Sequence, residues 1–200
     1  MEKSKGNIMT VVKVKNRKIA WGITGAGDKI EEIITVMKEL KKQSEDLVDI
    51  HVYVSKAAEI MLKFYRLDEE LRKSFPKVTV ESNSNSPFLA GMVQSGKYEF
   101  LLIIPASSNT VAKIVNSISD TLLTNSALMA LKAFVPVWIM PVDFKESIIY
   151  TKLPNGKEMK LRVRKEEADQ VRKLEAMEGV HVFENPELMR EGFLEWLKTV

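Results

Sequence analysis

Residues 100–114 read Phe-Leu-Leu-Ile-Ile-Pro-Ala-Ser-Ser-Asn-Thr-Val-Ala-Lys-Ile, and this stretch decides the fold. Its first part, Phe100–Ile104, is an unbroken apolar run of the kind found in a parallel strand that is buried on both faces. Val111 and Ile114 then belong to an apolar face with helical spacing, which predicts a helix over 108–118. A buried strand that leads directly into an amphipathic helix is the repeating unit of an open parallel sheet.

Working outward, short apolar runs alternate with helical patterns on both sides of this unit. The predicted strands cover residues 18–22, 47–54, 78–80, 100–104, 135–140 and 179–183. The predicted helices cover residues 28–42, 55–73, 87–94 and 108–118, the segment from Ser126, residues 166–177 and the segment from Asn185. Asp28 and Glu31 stand three apart, as in a capping box. We therefore predict an α/β fold, a Rossmann-like (flavodoxin-like) open parallel sheet with helices on both faces.

The pattern changes after residue 144. Two apolar runs, Ile148–Leu153 and Met159–Val163, flank Pro154-Asn155-Gly156 and predict a β-hairpin with a primed turn. We predict three parts of the chain: a mobile basic leader over 1–17, the main α/β domain over 18–144, and a hairpin and helix extension over 145–200 that packs on the same domain.

The composition excludes much common catalytic chemistry. The chain has 200 residues, of which 45% are hydrophobic and 28% charged, as in an ordinary globular protein. It has no cysteine, which excludes thiolate nucleophiles, disulfides and iron–sulfur clusters held by its own cysteines. Two histidines, His51 and His181, are too few for a multi-histidine metal site, so we expect no metal.

The charge distribution argues against nucleic acid as a partner. The net charge is +3, but six cations fall within the first 18 residues, and the rest of the chain is slightly acidic. A nucleic-acid surface would place its cations on the folded body. No apolar run approaches the ~18 residues of a membrane-spanning helix, and the N-terminus has no apolar signal core. We expect a cytoplasmic protein with no membrane partner.

In an open parallel sheet, ligands bind outside the carboxyl ends of the strands, and two segments at that edge have unusual compositions. Gly22–Asp28 contains three glycines between a strand and a helix, so its backbone N–H groups can approach an anion such as a phosphate. Ser55 directly follows the second strand, where its hydroxyl could meet the same anion. The alternatives are a tight strand-to-helix turn for the first segment and an ordinary N-cap for Ser55.

A third loop follows the buried strand and contains Ser107, Ser108, Asn109 and Thr110 in succession. A helix needs one capping side chain, so four polar side chains exceed that need. Asn109 offers two donors and one acceptor, and the hydroxyls offer more. This loop suits a polar, ring-bearing ligand, and the alternative is a redundant cap.

Two segments here, Pro105–Ile114 and Ser119-Asp120-Thr121-Leu122-Leu123-Thr124-Asn125, resemble the signature of the homo-oligomeric FMN-binding flavoprotein superfamily. That superfamily includes phosphopantothenoylcysteine decarboxylase, the lantibiotic cysteine decarboxylases and the flavin prenyltransferases. Further segments resemble its archaeoflavoprotein branch, which is related to dihydromethanopterin reductase (acceptor). They are Ile19–Gly27, Ile139–Asp143, Leu153–Glu158 and Val171–Gly179.

The resemblance implies an archaeal, homo-oligomeric FMN oxidoreductase whose flavin carries the chemistry. Its electrons would come from ferredoxin or another iron–sulfur redox protein and pass to a pterin or another redox protein. The implied cofactor-binding residues are Gly22, Thr24, Gly25, Ala26, Gly27, Ser55, Ala106, Ser107, Ser108, Asn109 and Thr110. Backbone N–H groups of residues 25–27 and the hydroxyls of Thr24 and Ser55 would hold the phosphate. Residues 108–110 would hold the ribityl chain and ring edge.

Two departures from the superfamily bear on the reaction. Its decarboxylases carry a catalytic histidine just before the buried strand and a later Pro-x-Met-Asn segment. Here Ser95–Glu99 contains no histidine, and Met140–Phe144 lacks the Met-Asn pair. Decarboxylation or prenyl transfer is therefore the alternative to electron transfer, and a non-catalytic FMN-binding protein is a third possibility.

Two surface features are candidates for contacts with other proteins. Lys160, Arg162 and Arg164 alternate with apolar residues, so they would share the outward face of a strand and attract an acidic ferredoxin. The alternative is an edge strand that uses charge to avoid aggregation. Four large side chains are candidates for the subunit contact, and the alternative is that they belong to the core: Trp21, Phe88, Met92 and Trp138.

Overall fold

The computed structural model describes residues 17–44, 47–153 and 155–200. Residues 1–16 of the predicted leader lie outside these ranges, whereas Arg17 begins the first strand. The strands are β1 (Arg17–Ile23), β2 (Val48–Val54), β3 (Val78–Val80), β4 (Leu101–Ala106), β5 (Val137–Pro141), β6 (Ser147–Lys152), β7 (Glu158–Val163) and β8 (Val180–Val182).

The helices connect these strands. They are α1 (Ile30–Gln43), α2 (Lys56–Phe64), α3 (Asp68–Ser74), α4 (Leu89–Gln94), α5 (Ser108–Val115), α6 (Leu122–Lys132), α7 (Lys165–Glu175) and α8 (Pro186–Leu197). None of the helices in the described part is both long and apolar enough to span a lipid bilayer.

Six strands form one parallel sheet in the order β3-β2-β1-β4-β5-β8. The chain builds outward from β1 to β3, and then returns to the other side of β1 to continue with β4. This reversal creates a crevice between the carboxyl ends of β1 and β4, where ligands bind in folds of this type. The predicted fold class is confirmed, including the separate antiparallel hairpin β6–β7.

The core lies in two layers, one on each face of the sheet. All six residues of β4 are buried, as expected of a central parallel strand. On one face α1, α2, α3 and α8 cover Ile19, Trp21 and Ile23 of β1. On the other face α4, α5, α6 and α7 cover Ala20 and neighbouring strands. The predicted helices on both faces are therefore present.

Two predictions about helix starts are wrong. Asp28 and Glu31 do not form a capping box, because α1 starts after Lys29, whose φ of 55° is left-handed and which makes no side-chain cap. Helix α6 begins at Leu122 rather than Ser126, because Thr121 and Thr124 form a reciprocal capping box.

The hairpin connection also differs from the predicted primed turn. The Leu153 N–H donates to the Lys157 carbonyl at 2.9 Å, which encloses three residues instead of two. Gly156 supplies the positive φ of 81° that such a longer connection needs. Pro154 lies outside the described residues.

Two of the four candidates for a subunit contact belong to the core of the subunit itself. Trp21 is fully buried and Trp138 is 8% exposed, and Trp138 stacks on Phe100 with ring centroids 4.3 Å apart. Phe88, by contrast, is 70% exposed. Of these three aromatic residues, only Phe88 is exposed and remains a candidate for the subunit contact.

A chain of polar side chains follows one face of β2 into the core. His51 Nε2 lies 2.9 Å from an oxygen of Asp49, and His51 Nδ1 lies 2.9 Å from the Tyr98 hydroxyl, which is 2.6 Å from the Tyr53 hydroxyl. A neutral ring with its proton on Nε2 donates to Asp49 and accepts from Tyr98, so both nitrogens are satisfied. Burial holds the pKa of His51 below its ordinary value, although the Asp49 hydrogen bond opposes that shift.

Acidification should therefore destabilise the fold through His51. Its unfolded-state pKa of about 6.5 exceeds its folded-state pKa, so below that pH the unfolded chain binds the extra proton. We expect the free energy of unfolding to fall between pH 7.5 and 5.5, and to fall less steeply in His51→Gln, as measured by urea denaturation at each pH. His181→Gln, which changes an exposed histidine of β8, should keep the wild-type slope. Equal slopes in all three proteins would assign the pH dependence to other groups.

Candidate functional site

The loops after β1 and β4 lie side by side, and the side chains of Trp21 in β1 and Thr24 just after it join this region. The β1–β4 ladder ends at Gly22–Ile103. Beyond it, Trp21 Nε1–H donates to the Ile104 carbonyl at 2.7 Å, and the hydroxyl of Thr24 donates to the Pro105 carbonyl at 2.8 Å. The Thr24 oxygen also accepts from the Ser107 N–H at 2.9 Å. The hydroxyl hydrogen of Thr24 is thus used within the protein, and its role is to tie the two loops together.

A cavity of about 440 Å³ opens beside this junction, and we call it the first cavity. It brings together six of the eleven residues predicted for the site. They are Thr24, Gly25, Ser55, Ser107, Asn109 and Thr110. The other lining residues come from the start of α2, the segment after β3 and the start of α6: Lys56, Ala57, Glu81, Asn83, Ser84, Asp120, Thr121 and Leu123.

Backbone N–H groups give this region the properties of an anion site. Within the described ranges, the N–H groups of residues 25–27 and Ala57 have no hydrogen-bond acceptor. Ala57 lies in the first turn of α2, where the helix dipole is positive. Ser55 accepts from the Ala58 N–H at 3.1 Å and so caps α2, while its hydroxyl hydrogen remains available to a ligand. Ser55 can therefore cap α2 and donate to a bound anion at the same time.

The glycines of the first loop are required for space rather than for backbone conformation, because neither Gly25 nor Gly27 has a positive φ. A Cβ on Gly25 would lie 2.7 Å from Ala57 Cβ and 3.2 Å from the Ala57 carbonyl carbon. A Cβ on Gly27 would lie 2.7 Å from the ring of Tyr65. Glycine thus lets the loop approach the start of α2 closely.

Glu81 is a site residue that the sequence did not reveal. It is 9% exposed, and its two carboxylate oxygens accept from the Leu122 N–H at 2.7 Å and the Lys56 N–H at 3.1 Å. One carboxylate therefore caps the starts of both α6 and α2, where helix dipoles favour negative charge. A single glutamate after a short strand resembles any surface glutamate in the sequence, and one of its partners is 41 residues away.

The four polar residues that open α5 have different roles. Ser107 caps the helix by accepting from the Thr110 N–H at 3.4 Å, and the two hydroxyls are 3.1 Å apart. Ser108 turns away from the first cavity and donates to Asp143. Asn109 is exposed and hydrogen-bonds to none of the described residues through its side chain. Only Asn109 thus offers its full hydrogen-bonding capacity to a ligand.

Two predicted site residues line neither this cavity nor the one described next. Gly22 and Ala106 are buried within β1 and β4. A Cβ on Gly22 would lie 2.6 Å from Leu123 Cδ2, so a larger residue here would displace that side chain of α6. Their predicted role in cofactor binding is therefore not supported by their positions.

A second cavity, of about 270 Å³, lies on the other side of the Ser107 backbone. Ala26, Gly27, Ser107 and Ser108 line it together with Asp28, Tyr65, Val142, Asp143, Ile149, Thr151, Met159 and Leu161. Burial raises the pKa of Asp28, Lys29 partly opposes this shift, and the neighbouring Asp143 adds a smaller increase. Neither His51 nor His181 lines either cavity.

The predicted cationic strand face is smaller than expected. Lys160 and Arg162 are exposed on β7, but Arg164 lies beyond the strand, at the start of α7, and pairs with Glu167. The register places Arg162 opposite Ile148, and Lys160 opposite Tyr150 on β6.

The comparisons with known proteins agree with this architecture. The Flavoprotein family matches residues 9–192. An uncharacterized protein of Methanocaldococcus jannaschii is 44% identical over 182 residues, which cover 91% of this chain and 97% of that protein. Dihydromethanopterin reductase (acceptor) of the same organism is 34% identical, with 89% of this chain and 96% of that protein covered.

Solved structures are also similar over nearly the whole chain, and an example shows an FMN complex. It is DmrB of Burkholderia xenovorans in complex with FMN, described as a cubic protein cage for redox transfer. The TM-score is 0.78 and the sequence identity 32%, and the similarity covers 92% of this chain and 97% of DmrB.

Gly25→Ala should destabilise the protein by about 1–3 kcal/mol, because the added Cβ overlaps Ala57. Urea denaturation measures the loss. Ala57→Gly removes the nearest atom, so the double variant should be less destabilised than the sum of the losses in the two single variants. Purely additive effects would contradict the steric explanation.

Glu81→Gln should cost about 1–3 kcal/mol, because one carboxylate oxygen becomes an NH₂ group that faces a backbone N–H. The measurement is again urea denaturation. Glu99→Gln is the matched control, since Glu99 makes an exposed ion pair with Arg17 and such pairs contribute about 0–1 kcal/mol. A loss at position 81 no larger than at position 99 would show that the double cap contributes little.

Proposed function

The chain belongs to the Flavoprotein family, and from this membership we propose that it is an FMN-dependent oxidoreductase. It accepts electrons from ferredoxin or another iron–sulfur protein and passes them to a pterin. The observation that carries the proposal is the pair of unpartnered N–H groups of Gly25 and Ala57 at the first cavity, next to which the chain continues through the unpartnered N–H groups of Ala26 and Gly27. Relatives named dihydromethanopterin reductase (acceptor) and the FMN complex of DmrB support the reaction class and the cofactor.

The first cavity fits FMN at both ends of the molecule. The backbone N–H groups of Gly25 and Ala57, with the hydroxyl of Ser55, suit a phosphate that needs several hydrogen bonds, and Lys56 lines the same cavity. The side chain of Asn109, at the other loop, suits the ribityl chain or the edge of the ring. We propose these groups as the FMN ligands, and Thr24 and Glu81 as the residues that hold them in position.

Bound FMN supplies the redox chemistry, because a flavin can exchange one electron or two with its partners. The described residues bring no histidine to either cavity. The protein's own contribution is to bind and orient the cofactor and to admit the acceptor. This arrangement supports electron transfer over a decarboxylation that depends on a catalytic histidine.

The electrons must come from another protein or a small donor, because the chain has no cysteine to hold an iron–sulfur cluster of its own. The outer face of the hairpin, formed by Ile148, Tyr150, Lys160 and Arg162, is the proposed docking surface. Ile148 is 54% exposed and Tyr150 is 68% exposed, so apolar contact area lies next to the two cations. Such a surface suits an acidic donor, whose approach it would accelerate electrostatically.

We also propose a homo-oligomer, with the exposed Phe88 at the start of α4 as part of the subunit contact. Phe88 follows the loop that places Asn83 and Ser84 in the wall of the first cavity. A contact there would bring a neighbouring subunit close to the cofactor. Light scattering of the purified protein measures the assembly directly.

Purified protein should show the visible absorption of a flavin or acquire it on titration with FMN. Asn109→Ala should weaken FMN binding by about 1–3 kcal/mol, through lost hydrogen bonds at a partly desolvated site. Flavin fluorescence quenching measures the affinity. Asn116→Ala is the control, because Asn116 lies at the far end of α5 and its side chain donates to the Ala112 carbonyl. A wild-type protein that takes up no FMN at micromolar concentration would overturn the proposed function.

Reduced ferredoxin should bleach the bound flavin in a stopped-flow experiment. Reversing both hairpin cations, in Lys160→Glu/Arg162→Glu, should slow the second-order reaction by about tenfold or more at low salt, with a smaller effect at high salt. The control is Lys42→Glu/Lys73→Glu, which makes the same charge change on exposed lysines near the ends of α1 and α3. Equal rates for the two double variants would show that the hairpin is not the docking surface.

A further inference from the structure

The second cavity adjoins the proposed cofactor site closely enough to serve the same reaction. The two cavities share Ser107, and consecutive residues of the first loop divide between them, with Gly25 in one and Ala26 in the other. A molecule in the second cavity would therefore lie one loop away from the proposed FMN site. Asp28 and Asp143, which face this cavity, have no part in the proposed binding of FMN.

One wall of the second cavity is apolar and belongs to the hairpin. Ile149, Met159 and Leu161 line it from the inner face of β6–β7. Met159 is 37% exposed and Leu161 is 41% exposed, so no other part of the described chain covers them fully. A wall of this kind offers a flat apolar molecule a surface to pack against.

The lining of the second cavity also includes acceptors whose hydrogen-bonding capacity is unused. The Asp28 carboxylate has no hydrogen-bond partner within the described ranges, and Asp143 accepts only from the Ser108 hydroxyl. An ionised carboxylate is an acceptor with about four lone-pair positions. The two carboxylates therefore suit N–H donors and repel anionic substrates.

A metal ion is a less suitable occupant of the second cavity than an organic molecule with N–H groups. Nowhere in residues 17–44, 47–153 and 155–200 do three or more His, Cys, Asp or Glu side chains form a group that could hold a metal. A cavity lined by two carboxylates and an apolar wall is instead suited to a planar ring with N–H groups along one edge. A carboxylate binds two adjacent N–H donors with two parallel hydrogen bonds, which fixes both position and orientation.

We propose that the second cavity is the substrate subsite, where Asp28 and Asp143 select a planar heterocycle with adjacent N–H donors, such as the 2-amino-4-oxopyrimidine edge of a reduced pterin. This inference rests on the proposed function and names the residues that recognise its acceptor. Ile149, Met159 and Leu161 pack against the ring. Asp28 and Asp143 are specificity-determining residues, and the transferred electrons do not pass through them.

The test uses two ring probes and three variants of the FMN-loaded protein. The probes are 6-methyl-7,8-dihydropterin and its 2-desamino analogue, in which a hydrogen replaces the 2-amino group and removes the adjacent donor pair. Binding is followed by titration calorimetry, and FMN affinity and urea denaturation are measured for each variant. The variants are Asp28→Asn, Asp143→Asn and the control Asp169→Asn, which changes an exposed carboxylate on α7.

We expect wild-type protein to bind the dihydropterin at least tenfold more tightly than its 2-desamino analogue. Asp28→Asn and Asp143→Asn should each lose at least tenfold in dihydropterin affinity, with FMN affinity changed less than twofold, whereas Asp169→Asn should match the wild type. Equal affinity for the two probes, or unchanged dihydropterin binding in both cavity variants, would overturn the inference.

Failure of this inference is distinguishable from failure of the proposed function. If FMN binds and ferredoxin reduces it while the cavity variants behave as wild type, only the substrate subsite is wrong. If no FMN binds, the proposed function falls. Pterin fluorescence titration of the FMN-free protein then still tests the cavity, and loss of the signal in Asp143→Asn but not in Asp169→Asn would support it.

Discussion

The hydrogen bonds between the ends of β1 and β4 are the constraint on which the site depends. The parallel ladder between these strands stops at Gly22–Ile103, and side chains then bond the next two carbonyls of β4, together with the Thr24 N–H, which donates to the Pro105 carbonyl at 3.3 Å. Trp21 takes one carbonyl and Thr24 the other, and Thr24 also accepts from Ser107. A buried hydroxyl in such a position is worth more than an exposed one, because each group that it leaves unpaired is costly. The two ligand-binding loops are thus held in one register by core side chains.

The sequence predicted the sheet well because the relevant signals are local. A buried apolar run such as Phe100–Ile104 followed by an amphipathic helix has few alternative structures, and the alternation of such units along the chain predicts a parallel sheet. The helix starts were less predictable. Asp28 and Glu31 have the spacing of a capping box, but the chain continues through a left-handed residue, Lys29, before α1 begins. Local spacing does not determine which of two competing turns the tertiary packing selects.

The candidate site was predictable in its location and less so in the roles of its residues. Ser108 and Thr24 were predicted as ligands because they are hydroxyls in the right loops, yet their hydrogens are already donated to Asp143 and Pro105. Glu81 was missed because its two partners are distant in sequence. A residue type gives the capacity to form hydrogen bonds, whereas only the three-dimensional arrangement shows how much of that capacity remains.

The central sheet ends on both sides in a strand of three residues, β3 and β8. A free strand edge can recruit a further strand from another molecule, but three residues provide few backbone groups for such recruitment. Continuous growth of this sheet into fibres is therefore disfavoured even when many copies are crowded together. Copies of this chain can meet through helix surfaces and the hairpin while their sheets remain separate.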